Sequence, residues 1–323
     1  MRVSDAVAKG AVFIGRMHDD EFEPIATGFF VGYPVAGGTC QYFVTAQHCV
    51  ANKFDLKIRI NTRNGQSEIY DLPSDRWYFH PDPKRFVDVA VMSSSVSLFL
   101  FDVVQISLGR EAATVDLLDE RDIGIGDEVF FPDLFIHRSG QGRNLPIVRT
   151  GTIAAMPDEP IMTRSGPINA YLIEGRSIGG HSGSPVFVNL SAPRIYDPTK
   201  PRRLPLGWNS PDYYLIGLIR GHLKAKDTGE YTTSDPATED LWVNSGIATV
   251  IPAQDIWDTL NQPELEQGRL EMIKKAQDQS PDVPDAKPSA SDKTNPEANP
   301  DHREDFTALL SEAAKQKPKG GQT

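Results

Sequence analysis

Ser182 stands in Gly179-Gly180-His181-Ser182-Gly183-Ser184-Pro185, with the apolar run Val186-Phe187-Val188 directly behind it. A serine among small residues at the mouth of a strand can present its hydroxyl and its own backbone N–H on one side. Glycine at 180 lets the chain turn sharply and leaves no side chain in the path of an incoming carbonyl group. The amides of Gly180 and Ser182 can then point at one spot and stabilise an oxyanion. A serine hydroxyl is a weak nucleophile by itself, so this chemistry requires a base and a group that orients the base. Phe43-Val44-Thr45-Ala46-Gln47-His48-Cys49-Val50 ends a strand-like run on His48. Val87-Asp88-Val89-Ala90-Val91-Met92 sets one carboxylate in an otherwise apolar strand. A lone aspartate among valines and alanines is costly unless donors reach it, and an imidazole N–H is such a donor. Asp82 and Asp75 are nearby rivals for the same role. Each residue also has a bland reading: a core histidine, a buried structural carboxylate, a turn serine. The order His, Asp, Ser favours base, orienting acid and nucleophile.

Three segments carry a family resemblance. Thr45-Ala46-Gln47-His48-Cys49 resembles the T-A-x-H-C box of the trypsin/chymotrypsin-like serine peptidases. Asp88-Val89-Ala90-Val91 is similar to their D-[IV]-A-[LV] box, and Gly180-His181-Ser182-Gly183-Ser184-Pro185 to their G-[DN]-S-G-[GS]-P box. Any one box is a modest signal; three in the family's order are a strong one. The resemblance spans about residues 10 to 262. It implies an all-β fold of two antiparallel barrels, and peptide hydrolysis through an acyl-enzyme on Ser182. It also implies Arg176 on the floor of a substrate side-chain pocket and His222 on its wall, which would suit acidic or polar side chains before the scissile bond; the plainer alternative is that Arg176 faces solvent or pairs with Glu174. His181 departs from the digestive relatives, which carry aspartate there to meet a newly cut N-terminus. No I-[VI]-G-G start is visible either, so the resemblance is to bacterial and viral branches that need no such cut. The α/β-hydrolase elbow G-x-S-x-G is the competing motif, but Ser184 replaces its last glycine and a strand follows where a helix should. His222 and His302 are its only downstream bases, one at a strand end and one in a polar tail.

The elements that must hold these groups are short strands between turn signals. Ala11–Ile14, Ala26–Gly32, Gln41–Ala46, Leu56–Ile60 and Ser67–Tyr70 precede the Asp88 strand, with Asn64-Gly65 as a tight hairpin turn. These elements suffice for a first barrel over residues 1–110. Gly126–Phe131, Val148–Ile153, Ala170–Ile173, the Ser182 loop, Tyr214–His222 and Gly246–Pro252 supply a second, residues 111–262, closed by a helix from about Ala253 to Asn261. His48 and Asp88 then come from one half and Ser182 from the other, across a cleft. The stretches 191–212 and 224–240 read as long surface loops. Residues 263–323 read as a polar, largely disordered tail, clearest over 278–300. Phe306–Ala314 within it is an amphipathic helix candidate, either a weak docking element for a protein partner or nothing.

Composition narrows the partners. The chain has 323 residues and a formal charge of −11, so nucleic acid is not an expected partner. No apolar run is long and clean enough to span a bilayer; Val89–Leu108 is broken by Asp102, Gln105 and serines. With an early acid at Asp5 and no signal-like apolar segment, a cytoplasmic location is expected. Both cysteines fit that compartment as reduced, structural thiols. The resemblance places a disulfide half at Cys49, but its usual partner position near Thr27-Gly28 holds no cysteine. No metal motif is present, since His18 and the scattered acids lack ligand spacing, and no cofactor is expected. The expected function is therefore a serine endopeptidase acting on polypeptides. The alternative is a catalytically silent scaffold of the same shape that binds peptides or proteins.

Overall fold

Two aspartates with positive φ, Asp19 (46°) and Asp20 (65°), turn strand β1 (Val12–His18) into β2 (Glu21–Val35). A two-residue hairpin loop wants that backbone hand, and aspartate tolerates it. This hairpin starts the first half of a computed structural model that describes residues 3, 5–163, 166–175, 181–191, 213–226 and 242–278. Helix α1 (Asp5–Ala8) precedes it. After β2 come β3 (Gly38–Thr45), helix α2 (Gln47–Val50), β4 (Leu56–Asn61), β5 (Ser67–Leu72), β6 (Tyr78–Phe79), β7 (Ala90–Ser93) and β8 (Gln105–Ser107). They form an eight-stranded sheet in the order β5-β4-β1-β2-β3-β7-β6, with β8 added to β2.

Helices α3 (Leu108–Glu111) and α4 (Val115–Arg121) lead into the second half. Its strands are β9 (Glu128–Asp133), β10 (Ile147–Ala155), the small pair β11 (Ile161–Thr163) and β12 (Gly166–Ile168), then β13 (Tyr171–Glu174), β14 (Pro185–Asn189), β15 (Tyr213–Lys226) and β16 (Trp242–Pro252). Six of them close a barrel in the order β10-β13-β16-β15-β14-β9. Helix α5 (Ala253–Leu260) follows, as expected, and then α6 (Pro263–Asp278). The chain is thus the all-β, two-part molecule its strand pattern implies, with a C-terminal helix.

The two halves share apolar packing. Phe29, Phe43 and Trp77 belong to one buried cluster with Phe130, Phe187, Leu215 and Leu218 from the barrel and Ile256 and Leu260 from α5. A second cluster, around Phe131, Tyr171, Tyr214 and Ile216, fills the barrel. On the other flank of the seam, buried Arg59 on β4 donates from Nε to Asn144 Oδ1 (2.8 Å), from Nη1 to Gln141 O (3.1 Å) and from Nη2 to Ser139 O (3.0 Å). A buried guanidinium is tolerable only with its donors used, and the loop between β9 and β10 supplies the acceptors.

Three details correct the sequence reading. Asp88 lies just ahead of β7, where Val89 N–H bonds to Val87 O in a tight local turn (2.9 Å). Second, the region after 262 does not begin as disordered tail. Pro263 opens α6, its fixed φ and missing N–H suiting the first helical turn. Leu265 is buried there, and Arg269 donates from Nη1 to Leu260 O (2.7 Å) and to the Tyr42 hydroxyl (3.2 Å), with its guanidinium 4.0 Å from the Tyr33 ring centre. Third, Cys49 lies on helix α2, past the end of the strand that carries Cys40; both thiols are free and buried. The 224–240 loop starts later than expected, since β15 runs to Lys226. The 191–212 loop beyond Ser191, the rest of the second loop and the Phe306–Ala314 segment lie outside the described residues.

Candidate active site

Helix α2 has four residues and no side-chain cap of its own. Its opening N–H groups therefore need outside acceptors. Asp88, fully buried, supplies one: the His48 main-chain N–H donates to its Oδ1 at 2.9 Å. The other carboxylate oxygen, Oδ2, sits 2.6 Å from His48 Nδ1. Both bonds come from one histidine, so the aspartate sets the backbone position and the ring plane together. A proton on Nδ1 toward Asp88 leaves Nε2 bare at the other end of the ring. Arg220 reaches across from β15 to place Nε 3.3 Å from Asp88 Oδ2 in an ion pair. A carboxylate out of water needs such company.

Ser182 occupies the second position of a tight turn. Ser184 N–H donates to His181 O (2.9 Å), and Gly183 adopts φ 88°. A type II turn requires that left-handed backbone at its third residue, which is why glycine follows the serine. A side chain at 183 would also overlap Thr27 O and Thr45 Oγ1. The turn is sewn to both halves: Gly183 N–H donates to Ile219 O (2.8 Å), and Thr27 N–H on β2 donates to Ser182 O (3.0 Å). Cys49 Sγ lies 3.7 Å from His48 Nε2 and 3.7 Å from Ser182 O. One sulfur thus touches the free end of the imidazole and the serine's main chain. The Ser182 hydroxyl itself donates to Arg220 O at 3.0 Å.

The structure therefore joins His48 to Asp88 and sets Ser182 beside them, with its hydroxyl bonded to Arg220 O and not to the imidazole. Releasing it means leaving one neutral hydrogen bond, a net cost of about 0.5–1.5 kcal/mol. Unliganded sites commonly show such loose nucleophile–base geometry. Burial lowers the proton affinity of the His48 ring, but its bonds to Asp88 and the contact with Cys49 outweigh that and raise its pKa from 6.5 to about 10. The ring is still 44 % exposed, so water reaches it. A base must lose its proton before it can act, so any reaction His48 drives rises with pH, and the raised pKa puts that rise above pH 6.5. The His48 ring should accordingly titrate above 6.5 when followed by its imidazole NMR signals; a midpoint at or below 6.5 would contradict the Asp88 geometry.

Among the other expected site residues, His222 lies half-buried on β15, paired in register with Ala248 of β16. Gly180 and Arg176 lie outside the described residues. The rival Asp82 accepts from Lys84 N–H (2.8 Å) and pairs with Arg85 (3.3 Å), engaged elsewhere. Arg220 and Cys49 are contributors the sequence reading missed. Arg220 carries no motif of its own. Among the described residues His80, Asp255 and Asp258 bring ligand atoms within 4.8 Å of one another. Arg85 Nη2 already donates to Asp255 Oδ1 at 2.6 Å, so a guanidinium supplies the positive charge there. No helix among the described residues is long and apolar enough to cross a membrane.

No protein-family model matches the chain, and no curated protein does. Solved structures with a similar outline include the MamO protease domain from Magnetospirillum magneticum in its apo form, 15% identical with a TM-score of 0.46, covering 80% of this chain and 99% of that one. Rv3671c from M. tuberculosis H37Rv, in the inactive form of a serine-to-alanine mutant, is 14% identical with a TM-score of 0.39 over 79% of this chain and 87% of its own. HBP is 10% identical with a TM-score of 0.44 over 90% and 98%. At these levels the chemistry has to come from the site's own residues.

Proposed function

We propose that this protein is a serine endopeptidase that hydrolyses peptide bonds through an acyl-enzyme on Ser182. The observation that carries the proposal is the doubly bonded His48–Asp88 pair, with the Ser182 turn docked on β2 and reached from the His48 ring through Cys49 Sγ. Once its hydroxyl turns from Arg220 O to His48 Nε2, Ser182 Oγ attacks the substrate carbonyl carbon while Nε2 takes its proton. Asp88 holds the ring and offsets its charge. The oxyanion forms against the Ser182 N–H, with the Gly180 N–H as second donor. Collapse breaks the C–N bond, the amine leaves with the proton from His48, and water repeats the sequence to release the acid. Arg176 and His222 are the proposed pocket residues for an acidic or polar side chain.

The Ser182–Arg220 hydrogen bond favours a second reading, a silent scaffold that only binds polypeptides. Covalent labelling with a fluorophosphonate separates the two. Wild type should take up one label and Ser182→Ala none. Equal labelling of the two, or none of wild type at any pH from 6 to 10, would leave the scaffold reading standing.

A further inference from the structure

The nucleophile turn is anchored at its first residue by a buried charged group that has no part in the steps above. His181 is 2 % exposed, and its Nδ1 lies in close contact with Asp133 Oδ2. Asp133 is the last residue of β9 and fully buried, and Arg149 of β10 donates to the same oxygen from Nε at 2.7 Å. Taking the His181 and Asp133 side chains out of water, with Arg149 half-buried beside them, is costly, and apolar residues there would avoid that cost. What distinguishes the place is covalent proximity: His181 is bonded to Ser182.

We propose that Asp133 is the positioning residue of the Ser182 turn, and that its pair with His181 makes the turn reactive without any newly cut chain terminus. This rests on the peptidase reading. The peptide between His181 and Ser182 is planar and trans, so the His181 carbonyl and the Ser182 N–H point opposite ways. The carbonyl is fixed by Ser184 N–H at 2.9 Å. The side chain of the same residue is fixed by Asp133 on the barrel wall. Two anchors on one residue hold that peptide plane, and with it the direction of the Ser182 N–H that is to meet the oxyanion. Asparagine in place of Asp133 keeps the shape, but gives up the charge that holds both His181 and Arg149. The plane is then free to swing.

The test measures fluorophosphonate labelling rate, and kcat and KM on a reporter peptide, for Asp133→Asn, His181→Asn and the double variant of the full chain. Each single change should lower kcat and labelling rate by about tenfold or more, since small misplacements at a reacting centre are expensive. KM should stay within about twofold, which a general loosening of the fold would not produce. The double variant should be no worse than the worse single, as residues acting as a unit behave. Intact mass of labelled wild type should equal the uncut chain plus the adduct. Wild-type labelling rates in folded Asp133→Asn, multiplicative losses in the double, or label found only on a shortened chain would each overturn the proposal. If Asp133→Asn does not fold, His181→Asn against wild type decides by the same rates. Wild type that never labels removes the peptidase reading itself, a different result from labelled wild type with unaffected variants.

Discussion

Replacing Asp88 with asparagine should cut kcat on a peptide substrate by about ten-thousandfold while the protein remains folded. The size follows from what the two carboxylate oxygens do. One accepts the His48 main-chain N–H at 2.9 Å and the other faces Nδ1 at 2.6 Å. A carboxylate presents two acceptors to these two donors, whereas an amide has only one acceptor. With its oxygen kept on the main-chain N–H, asparagine turns its NH2 toward Nδ1. That nitrogen must then be the acceptor, and the proton moves to Nε2, the end that should receive one from Ser182. The base is present and in the wrong tautomer. Arg220 also loses the negative charge 3.3 Å from its Nε. Stopped assays with wild type and Asp88→Asn, alongside far-UV dichroism, give the answer. A loss smaller than about tenfold would mean that Asp88 only caps helix α2 and that the catalytic acid lies elsewhere.

Gly183→Ala is the second large effect, and it acts through the backbone. At φ 88° an L side chain is strained, and the added carbon would overlap Thr27 O and Thr45 Oγ1. Those atoms cannot easily retreat, because Thr45 Oγ1 donates to Thr27 O at 2.7 Å inside the packed sheet. The turn must yield instead, and Ser182 moves with it. We expect about a hundredfold loss in kcat, the cost of a displacement near 1 Å at a reacting atom. Overpacking and strain should lower stability by about 1–3 kcal/mol. Active-site titration and thermal melts measure the two separately. Full activity in the variant would show that the turn can shift without disturbing the hydroxyl, and the docking of Ser182 on β2 would lose its catalytic meaning.

The parts of this site that were legible in the sequence are those written in consecutive residues. His48 follows an apolar strand run, and Ser182 stands among glycines ahead of another, so composition over six or seven positions gives both away. Asp88 was legible as a residue but not as a conformation. Its valines and alanines read as strand, whereas the need to face both donors of His48 pulls it out of the ladder. Arg220 and Asp133 were invisible for a different reason. Their partners lie far along the chain and are chosen by how the barrel closes and docks, which no local pattern encodes. The α6 helix was hidden by its own polarity. Arg269, which reads as a solvent residue, is buried by bonding Leu260 O and Tyr42. Only Pro263 announced it.

On the peptidase reading, the hydroxyl of Ser182 resting on the Arg220 carbonyl has a kinetic meaning. Side chains exchange rotamers in picoseconds to nanoseconds, far faster than bond making, so the exchange itself limits nothing. What it sets is an occupancy. A preference of about 1 kcal/mol for the resting rotamer leaves roughly one molecule in six poised at any instant, and the observed rate constant is scaled down by that fraction. A group that competes for the Arg220 carbonyl would shift that ratio simply by arriving, so idle and engaged molecules would differ in readiness before any bond is broken.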